Sequence, residues 1–175
     1  CMSLRQILTE PNKILRQKSE PVDKVDSDLQ KLMDDMLETM YAAPGIGLAA
    51  IQVGVPKRVI VLDITPKDSP KNPMFLINPE IIEKSKNNST YEEGCLSVPG
   101  QFAEIDRPDR CHIKYLDYQG QSKEIKAEGM LATCIQHEID HLEGILFIDY
   151  LSKLKKSMIV KKLSKQKKAL ERIIV

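Results

Sequence analysis

The stretch "CIQHEIDHLEG", residues 134–144, holds two of the three histidines in this 175-residue chain. An α-helix turns by about 100° per residue, so His137 and His141 would face one point from adjacent turns. Two imidazoles in that position can bind one metal ion, and the carboxylate of Glu138 beside them could reach a water molecule as a general base. The stretch therefore predicts a metal-binding helix over about residues 130–143, ended by Gly144.

A catalytic divalent metal usually has three protein ligands and one open position, so this site needs a third ligand. In one class of proteases the motif continues to a third histidine, but this chain has Phe147 at that position. In another class a downstream glutamate completes the site. The only acidic residues after Gly144 are Asp149 and Glu171, and Glu171 belongs to a lysine-rich tail. The third ligand is therefore expected upstream of the helix.

Upstream, the side chains that could bind a metal are Cys95, Cys111, His112 and Cys134. The pair at 111 and 112 lies in an alternating strand pattern, which is typical of a core thiol and a strand-surface imidazole. Cys134 lies one turn before His137, where a side chain more often lines an adjacent pocket. Cys95 is flanked by a glycine and by Pro99-Gly100, which indicates an exposed loop or a strand end. The spacing therefore favours Cys95 as the third ligand, with His137 and His141.

A second glycine-rich stretch, "PGIGLAAIQVG" (residues 44–54), contains the letters of a dinucleotide-binding fingerprint. That fingerprint follows a strand and opens a helix, whereas this stretch follows a predicted helix and opens a predicted strand. We therefore expect its glycines to bring backbone close to a ligand, with Gln52 offering a side-chain amide as a hydrogen-bond donor.

The rest of the pattern predicts a helix and several strands. Residues 27–30 match a capping box, and apolar residues follow at helical spacing as far as Met40, so a first helix would end before Pro44. Extended segments are predicted from residues 48, 58 and 74, and a hairpin from residues 111–117 and 121–127. Because the strands come in runs, we expect an α+β fold. Antiparallel or mixed sheets would surround the metal-binding helix, with an N-terminal and a C-terminal helix.

Length and composition fit one domain over residues 1–175, since 42% of the residues are hydrophobic. No apolar stretch approaches the roughly 20 residues of a membrane span, and the N-terminal residues do not match a secretory signal. We therefore expect a cytoplasmic protein that does not bind membranes. Its four cysteines are expected to be thiols or ligands, and not a disulfide framework.

Charge is unevenly distributed along the chain. The net charge is +1, and residues 151–175 contribute +8, which leaves −7 on the rest. Apolar residues recur in this tail at helical spacing, namely at Leu151, Leu154, Met158, Ile159 and Leu163. We expect a basic C-terminal helix that is docked by this face, with its lysines in solvent. The lysines could alternatively bind an anionic partner such as RNA.

Three segments, G-I-G-L-A-A-I-Q (45–52), E-G-C-L-S (93–97) and Q-H-E-I-D-H (136–141), together resemble the peptide deformylases, which remove the N-formyl group from nascent bacterial-type proteins. The N-terminal "PNKILRQKSEPV" and the length are also similar to that family, so the resemblance covers nearly the whole chain. Two local departures are Ala43-Pro44 before the first motif, and Phe102, where some members carry a basic residue.

The resemblance implies a metal held by Cys95, His137 and His141. It would natively be Fe²⁺, and Zn²⁺, Ni²⁺ or Co²⁺ could replace it. One soft thiolate and two imidazoles suit several late divalent metals, although geometry alone would suggest zinc.

The same resemblance implies the chemistry. Glu138 would take a proton as hydroxide attacks the formyl carbon, and the Gln52 side chain and the Leu96 N–H would meet the oxyanion. The products would be formate and a free N-terminal methionine. The backbone of residues 45–47 would pair with the peptide like an added strand. The residues implied in substrate binding are Gly45, Ile46, Gly47, Tyr91, Met130, Thr133 and Cys134.

Two other interpretations remain open at this point. A metallopeptidase that cleaves internal peptide bonds would use the same metal, water and Glu138. A nucleic-acid-binding module would rest on the basic tail alone and would leave the metal-binding residues unexplained. For the tail of a deformylase, the anionic partner that we expect is the RNA surface of the ribosome.

Overall fold

The structure is a computed structural model that describes the backbone of residues 3–174 and the side chains of residues 3–170. Within this range lie three α-helices, α1 (Ser27–Ala42), α2 (Gly129–Leu142) and α3 (Lys153–Ile174). The strands in the same range are β1 (Gly47–Ala49), β2 (Val59–Leu62), β3 (Met74–Lys84), β4 (Asn88–Cys95), β5 (Val98–Pro108), β6 (Arg110–Leu116) and β7 (Ser122–Glu128). Cys1 and the predicted end of the tail at Val175 lie outside the described residues.

The strands form two antiparallel sheets. A five-stranded sheet has the order β1-β2-β3-β6-β7, and β4 pairs with β5 in a separate two-stranded sheet. The predicted hairpin is β6-β7, in which Ile113 lies opposite Ile125. Sheets of this kind, with α1 and α2 packed on the larger one, confirm the predicted α+β fold.

Strand β2 is buried on both faces, and this explains its uninterrupted apolar sequence. Side chains alternate across a strand, so Val59 and Val61 join the cluster built on α1, whereas Ile60 and Leu62 join the cluster built on α2. The larger sheet therefore lies between the N-terminal helix and the helix that carries the two histidines.

Helix α1 begins one residue earlier than the predicted capping box requires. The N-cap is Asp26, whose carboxylate accepts a hydrogen bond from the Leu29 N–H at 2.9 Å. The capping box at Ser27 is therefore wrong, and the side chain of Gln30 donates instead to the Tyr118 carbonyl. A charged acceptor at the N-cap also interacts favourably with the helix dipole. The predicted end before Pro44 is confirmed.

One prediction of extended structure needs correction, and one hairpin was not predicted. Residues Ala50–Val53, expected to continue β1, form a 3₁₀ helix. The β4-β5 hairpin was not predicted, because most side chains of β4 are polar and exposed and follow no simple alternation. Its strands are stabilised mainly by pairing with each other over the length of the hairpin. Cys95 is the last residue of β4, which matches one of the two expected environments.

Helix α3 docks by a narrower face than predicted. Leu163 is buried, and Ile159 and Val160 of the helix pack on the same cluster around Phe147 and Ile148, as does Leu151, which lies just before the helix. The prediction is wrong for Leu154 and Met158, which are 71% and 62% exposed. The described contacts with the body lie in the first half of the helix, from Lys156, which pairs with Asp149, to Leu163, and residues 165–170 are all exposed. None of the helices within residues 3–174 is both long and apolar enough to cross a membrane.

Candidate active site and metal centre

Helix α2 and the end of β4 bring the three predicted metal ligands together. The rings of His137 and His141 lie on one face of α2, with centroids 5.1 Å apart. The sulfur of Cys95 lies 3.3 Å from Nε2 of His141. One donor atom from each of the three residues falls within 4.8 Å of the others.

This donor set fits a divalent transition metal. Metal–sulfur and metal–nitrogen bonds of about 2.3 and 2.05 Å at tetrahedral angles would separate sulfur from nitrogen by about 3.6 Å, close to the spacing between Cys95 and His141. A thiolate with two imidazoles is a common set for such metals. Three protein ligands would leave one position open, which is the arrangement of a catalytic site and not of a structural one.

The orientation of His137 is fixed by Glu93. Nδ1 of His137 donates a hydrogen bond to Oε1 of Glu93 at 2.9 Å, which leaves Nε2 directed at the metal centre. Glu93 is held in turn by Arg107, whose guanidinium donates to both carboxylate oxygens at 2.7 and 3.0 Å. Burial by itself would raise the pKa of Glu93, but the bonds from His137 and Arg107 lower it below its usual range.

Sequence reasoning missed both Glu93 and Arg107. A signal for Glu93 was available, because side chains two residues apart on a strand share a face, and Glu93 lies two residues before Cys95. No local signal identifies Arg107, which lies on β5 opposite Ser89, whereas Glu93 lies on β4 opposite Ala103, so their ion pair runs diagonally across the hairpin. Arg107 also donates to Asp140 at 2.8 Å, so the network ties the hairpin to α2.

The metal centre has an electrostatic environment that favours a cation. Burial is the main cause of a pKa well below the usual value for His141, which is therefore neutral and able to bind a metal. Burial acts in the same direction on His137, but its contacts with Cys95 and Glu93 outweigh burial and raise its pKa well above the usual value. Surroundings that stabilise a positive imidazolium also stabilise a metal cation at the same place.

Glu138 lies beside the metal centre but is not one of the three residues whose donor atoms converge there. It is 2% exposed, and its Oε1 is 3.9 Å from Nε2 of His141, beyond hydrogen-bond distance. Burial raises the pKa of Glu138 to about 7. A carboxylate with such a pKa can both take and return a proton near neutral pH.

The two glycines of the first motif make room for protein side chains. A Cβ atom on Gly47 would lie 2.8 Å from Oε2 of Glu138, and a Cβ on Gly45 would lie 2.6 Å from Cδ1 of Leu96. Both distances are too short for real contacts. Gly47 therefore allows β1 to lie directly against the carboxylate, and Gly45 allows the segment before β1 to lie against the loop after Cys95.

Gln52 is buried next to Cys95 of the metal centre. It is 1% exposed, and its Nε2 is 3.5 Å from the sulfur of Cys95. The same nitrogen donates to the hydroxyl of Ser97 at 2.9 Å. Ser97 is a third residue that sequence reasoning missed.

A cavity of about 590 Å³ opens onto the metal centre. Its wall includes Cys95, His137 and Glu138, together with Leu96 from the loop after β4. The residues implied in substrate binding all line it: Gly45, Ile46, Gly47, Tyr91, Met130, Thr133 and Cys134. Phe102 is at the rim and is 64% exposed. The expected site residues therefore line one cavity, except Gln52 and His141, which are buried next to Cys95.

An α+β fold built on an H-E-x-x-H helix, with a cysteine from a separate hairpin beside it, defines a class of metal-dependent hydrolases. The chain belongs to the polypeptide deformylase family, whose sequence profile matches residues 4–157. It is therefore an enzyme, a metal-dependent hydrolase that removes the N-formyl group from the N-terminal formyl-methionine of nascent polypeptides and releases formate. The metallopeptidase alternative is not favoured.

Known proteins similar to this chain span its whole length. The chain is 66% identical to a peptide deformylase of Pelagibacter ubique, over 99% of this chain and 100% of the relative. It is 60% identical to a peptide deformylase of Maricaulis maris, over 98% of each. Among solved structures, a peptide deformylase from Ehrlichia chaffeensis matches with a TM-score of 0.91 and 46% identity, over 95% of this chain and 98% of that one.

A second structure of the Ehrlichia chaffeensis protein is a complex with actinonin. It matches this chain with a TM-score of 0.90 and 48% identity, over 94% of this chain and 98% of that one. The agreement in fold and in chain length confirms the family prediction made from the three motifs.

Proposed function

We propose that Cys95, His137 and His141 hold the catalytic metal, and that this metal is Fe²⁺ in the cell, replaceable by Zn²⁺, Ni²⁺ or Co²⁺. The spacing of the three donor atoms and the mixed sulfur and nitrogen set support this assignment. Bound there, the metal would supply Lewis acidity, which activates water and polarises the formyl carbonyl.

Glu138 moves the proton in the proposed reaction. It takes the proton from the attacking water and later returns it to the departing amine, because a single carboxylate with a pKa of about 7 can perform both steps. A Cβ atom on Gly47 would lie 2.8 Å from Oε2 of Glu138, so the carboxylate is in close contact with the strand that would hold the substrate. This contact is the observation that carries the proposal, since it sets a buried proton carrier directly against the strand that would hold the substrate.

Two donors would stabilise the oxyanion that forms on the formyl oxygen. They are Nε2 of Gln52, which lies beside Cys95, and the backbone N–H of Leu96, which directly follows it. Donors fixed by the fold before the reaction need no reorganisation when charge develops.

The edge of β1 is suited to bind the peptide backbone. The Asp63 N–H donates to the Ile46 carbonyl at 2.9 Å. Ile46 and Asp63 therefore form a hydrogen-bonded pair that continues the antiparallel ladder between β1 and β2. The next pair, Gly47 with Leu62, is then of the non-hydrogen-bonded kind, and the N–H and C=O of Gly47 point to the outer edge. A formyl-methionyl peptide would add there as a strand, with its methionine side chain in the apolar part of the cavity.

The experiment that tests these assignments is an anaerobic assay of formate release from a short formyl-Met peptide, with metal analysis of the same preparation. We expect turnover in proportion to bound metal. A matched peptide without the formyl group should not be cleaved, and its cleavage would favour the peptidase.

We further propose that residues 1–175 act as one cytoplasmic catalytic domain whose basic tail, residues 151–175, docks on the ribosome. The exposed end of α3 carries Lys165, Lys167 and Lys168, while its middle is anchored by Leu163. Such lysines would give a salt-dependent attraction to RNA phosphates.

The docking proposal is tested by charge reversal. Replacing the three lysines at 165, 167 and 168 with glutamate should weaken co-sedimentation with ribosomes, most clearly at low salt. The matched control makes the same charge change at the exposed Lys67, Lys84 and Lys86. Hydrolysis of a short formyl-Met peptide should be the same in both variants. Equal ribosome binding by the two would overturn the proposal.

A further inference from the structure

The side-chain amide of Gln52 has a fixed orientation. Its Oε1 accepts a hydrogen bond from the Ala49 N–H at 2.9 Å, so its Nε2 must face the other way. There Nε2 donates to the Ser97 hydroxyl at 2.9 Å and lies 3.5 Å from the sulfur of Cys95. An amide nitrogen carries two hydrogens. Ser97 accepts one of them, and the other is directed at the sulfur of Cys95 in the metal centre.

Ser97 connects the two segments that carry the proposed oxyanion donors. Its side chain is fully buried, and its backbone N–H lies 3.4 Å from the sulfur of Cys95. Its carbonyl accepts from the Glu10 N–H at 2.8 Å, and the carbonyl of Gln52 accepts from the Leu8 N–H at 2.7 Å. One N-terminal segment therefore holds Gln52 and Ser97 at a set separation.

We propose that Ser97 is a positioning residue for deformylation, which acts by holding the Gln52 amide in the orientation that donates to the oxyanion. This inference rests on the oxyanion role proposed above for Gln52. Ser97 contacts the sulfur of Cys95 through its backbone N–H and contacts Gln52 through its hydroxyl. A side-chain substitution at Ser97 therefore removes the hydrogen bond with Gln52 and keeps the one with Cys95.

The expected effect of losing the hydroxyl follows from the burial of Gln52. In Ser97→Ala the amide N–H loses its acceptor, and because it is buried it cannot turn to water. The Ala49 N–H still holds Oε1 of the amide, but Nε2 has lost the acceptor that fixes its exact direction, so the amide can tilt about its last side-chain bond. We expect kcat to fall by about 10-fold, less than the about 10²-fold expected for Gln52→Ala, which removes the donor altogether. KM should change little, since the cavity wall is unaltered.

The test is a double-mutant cycle on the metal-loaded enzyme. The kcat and KM for a short formyl-Met peptide are measured for the native protein, Ser97→Ala, Gln52→Ala and the double variant. If Ser97 acts only through Gln52, the double variant should be no slower than Gln52→Ala, within about twofold. Metal content and the visible absorption of the cobalt-loaded form, which reports on the Cys95 sulfur, should match those of the native protein in Ser97→Ala.

Two further variants separate positioning from structure. Ser19 is also buried, with a hydroxyl that has no hydrogen-bond partner among the described residues, so Ser19→Ala is a matched control and should keep the native kcat. Ser97→Thr keeps a hydroxyl at the same position and should recover most of the activity. A threonine variant that binds metal but is as slow as Ser97→Ala would count against the inference. This test applies even if the alanine variant folds poorly, and the threonine variant is then compared with Gln52→Ala.

The outcomes distinguish a failure of the inference about Ser97 from a failure of the oxyanion role proposed for Gln52. If Gln52→Ala keeps the native kcat, the oxyanion role of Gln52 fails, and the inference fails with it. If Gln52→Ala is slow but Ser97→Ala is not, only the inference fails. If the two losses multiply in the double variant, or if Ser97→Ala loses metal, Ser97 acts by another route and the inference is overturned.

Discussion

Nδ1 of His137 donates a hydrogen bond to Oε1 of Glu93 at 2.9 Å. An ionised carboxylate only accepts hydrogen bonds, so this contact requires the proton of the imidazole to be on Nδ1. The lone pair of Nε2 is then available to a metal, and the ring cannot turn without breaking the bond. The carboxylate therefore determines which tautomer of His137 the metal centre contains.

Glu93→Gln should weaken metal binding by about 10- to 100-fold, because the variant removes the charge that orients His137 and leaves Arg107 without its bidentate partner. The measurement is metal retention during dialysis against a chelator. Glu92→Gln, at the exposed neighbouring position, is the matched control and should retain metal like the native protein. Equal retention by both variants would contradict the proposed role of Glu93.

Glu138→Gln should keep the metal and lose most of its turnover, by about 10²- to 10⁴-fold in kcat, because it removes the proton carrier and none of the ligands. Cys95→Ala should lose metal and activity together. Metal content and formate release, measured on the same samples, test the roles assigned to Glu138 and Cys95. A loss of metal in the first variant, or full metal content in the second, would show that the roles are wrongly assigned.

Gly47→Ala should lower kcat by about 10²-fold, because the added methyl group would lie within 2.8 Å of Oε2 of Glu138 and must displace that carboxylate. Metal content should be retained, since Glu138 is not assigned as a ligand. The variant is examined by steady-state kinetics together with metal analysis. Native kinetics would mean that the strand can move away from Glu138 without cost.

Oxygen should inactivate enzyme that carries Fe²⁺, because a ferrous ion bound to a thiolate is open to oxidation at both metal and sulfur. Substitution with Ni²⁺ should give durable activity in air. The measurement is the half-life of activity in aerated buffer for the two metal forms of one preparation. Equal half-lives would speak against iron as the cause of oxygen sensitivity.

Asp63 should make stability depend on pH in the acid range. Burial alone would raise its pKa, but hydrogen bonds from Thr65 and Tyr41 outweigh burial and lower it to about 2. A pKa below that of the unfolded chain means that the ionised group adds stability above about pH 4, and that this stability is lost as the pH falls towards 2.

The corresponding measurement is chemical unfolding of Asp63→Asn and the native protein at several pH values. The variant should be less stable by about 1–3 kcal/mol at pH 7, and the difference should narrow between about pH 4 and pH 2. Asp68→Asn changes an exposed carboxylate of the same loop and serves as the control. A difference in unfolding free energy that stays constant with pH would exclude Asp63 as a source of the pH dependence of stability.

The parts of the fold that the sequence predicts are those governed by local spacing. The position of His137 and His141 on one face follows from helix geometry alone, and the end of α2 at Gly144 follows from its left-handed backbone conformation. The apolar run of β2 is likewise a local signal. Each of these features could be identified without knowing any distant contact.

The parts that were missed depend on contacts between distant segments. The Glu93–Arg107 pair joins β4 to β5 diagonally, at positions that are not register partners, and the sequence of β4 gives no apolar alternation that would reveal the hairpin. The docking face of α3 was predicted too wide for the same reason. Helical spacing places Leu154 and Met158 beside the buried residues, but the body of the protein does not extend far enough to cover them.

Strand β2 has a consequence for how the enzyme can come apart. Its four side chains alternate between the cluster of α1 and the cluster of α2, and all of them are almost completely buried. Separating either helix from the sheet would expose the strand that the other helix also needs, so local opening of one side destabilises the other. Hydrogen exchange at the amides of β2 should therefore require cooperative unfolding of both layers. The histidines of α2 are in this way kept in place by the N-terminal helix, which lies on the opposite face of the sheet.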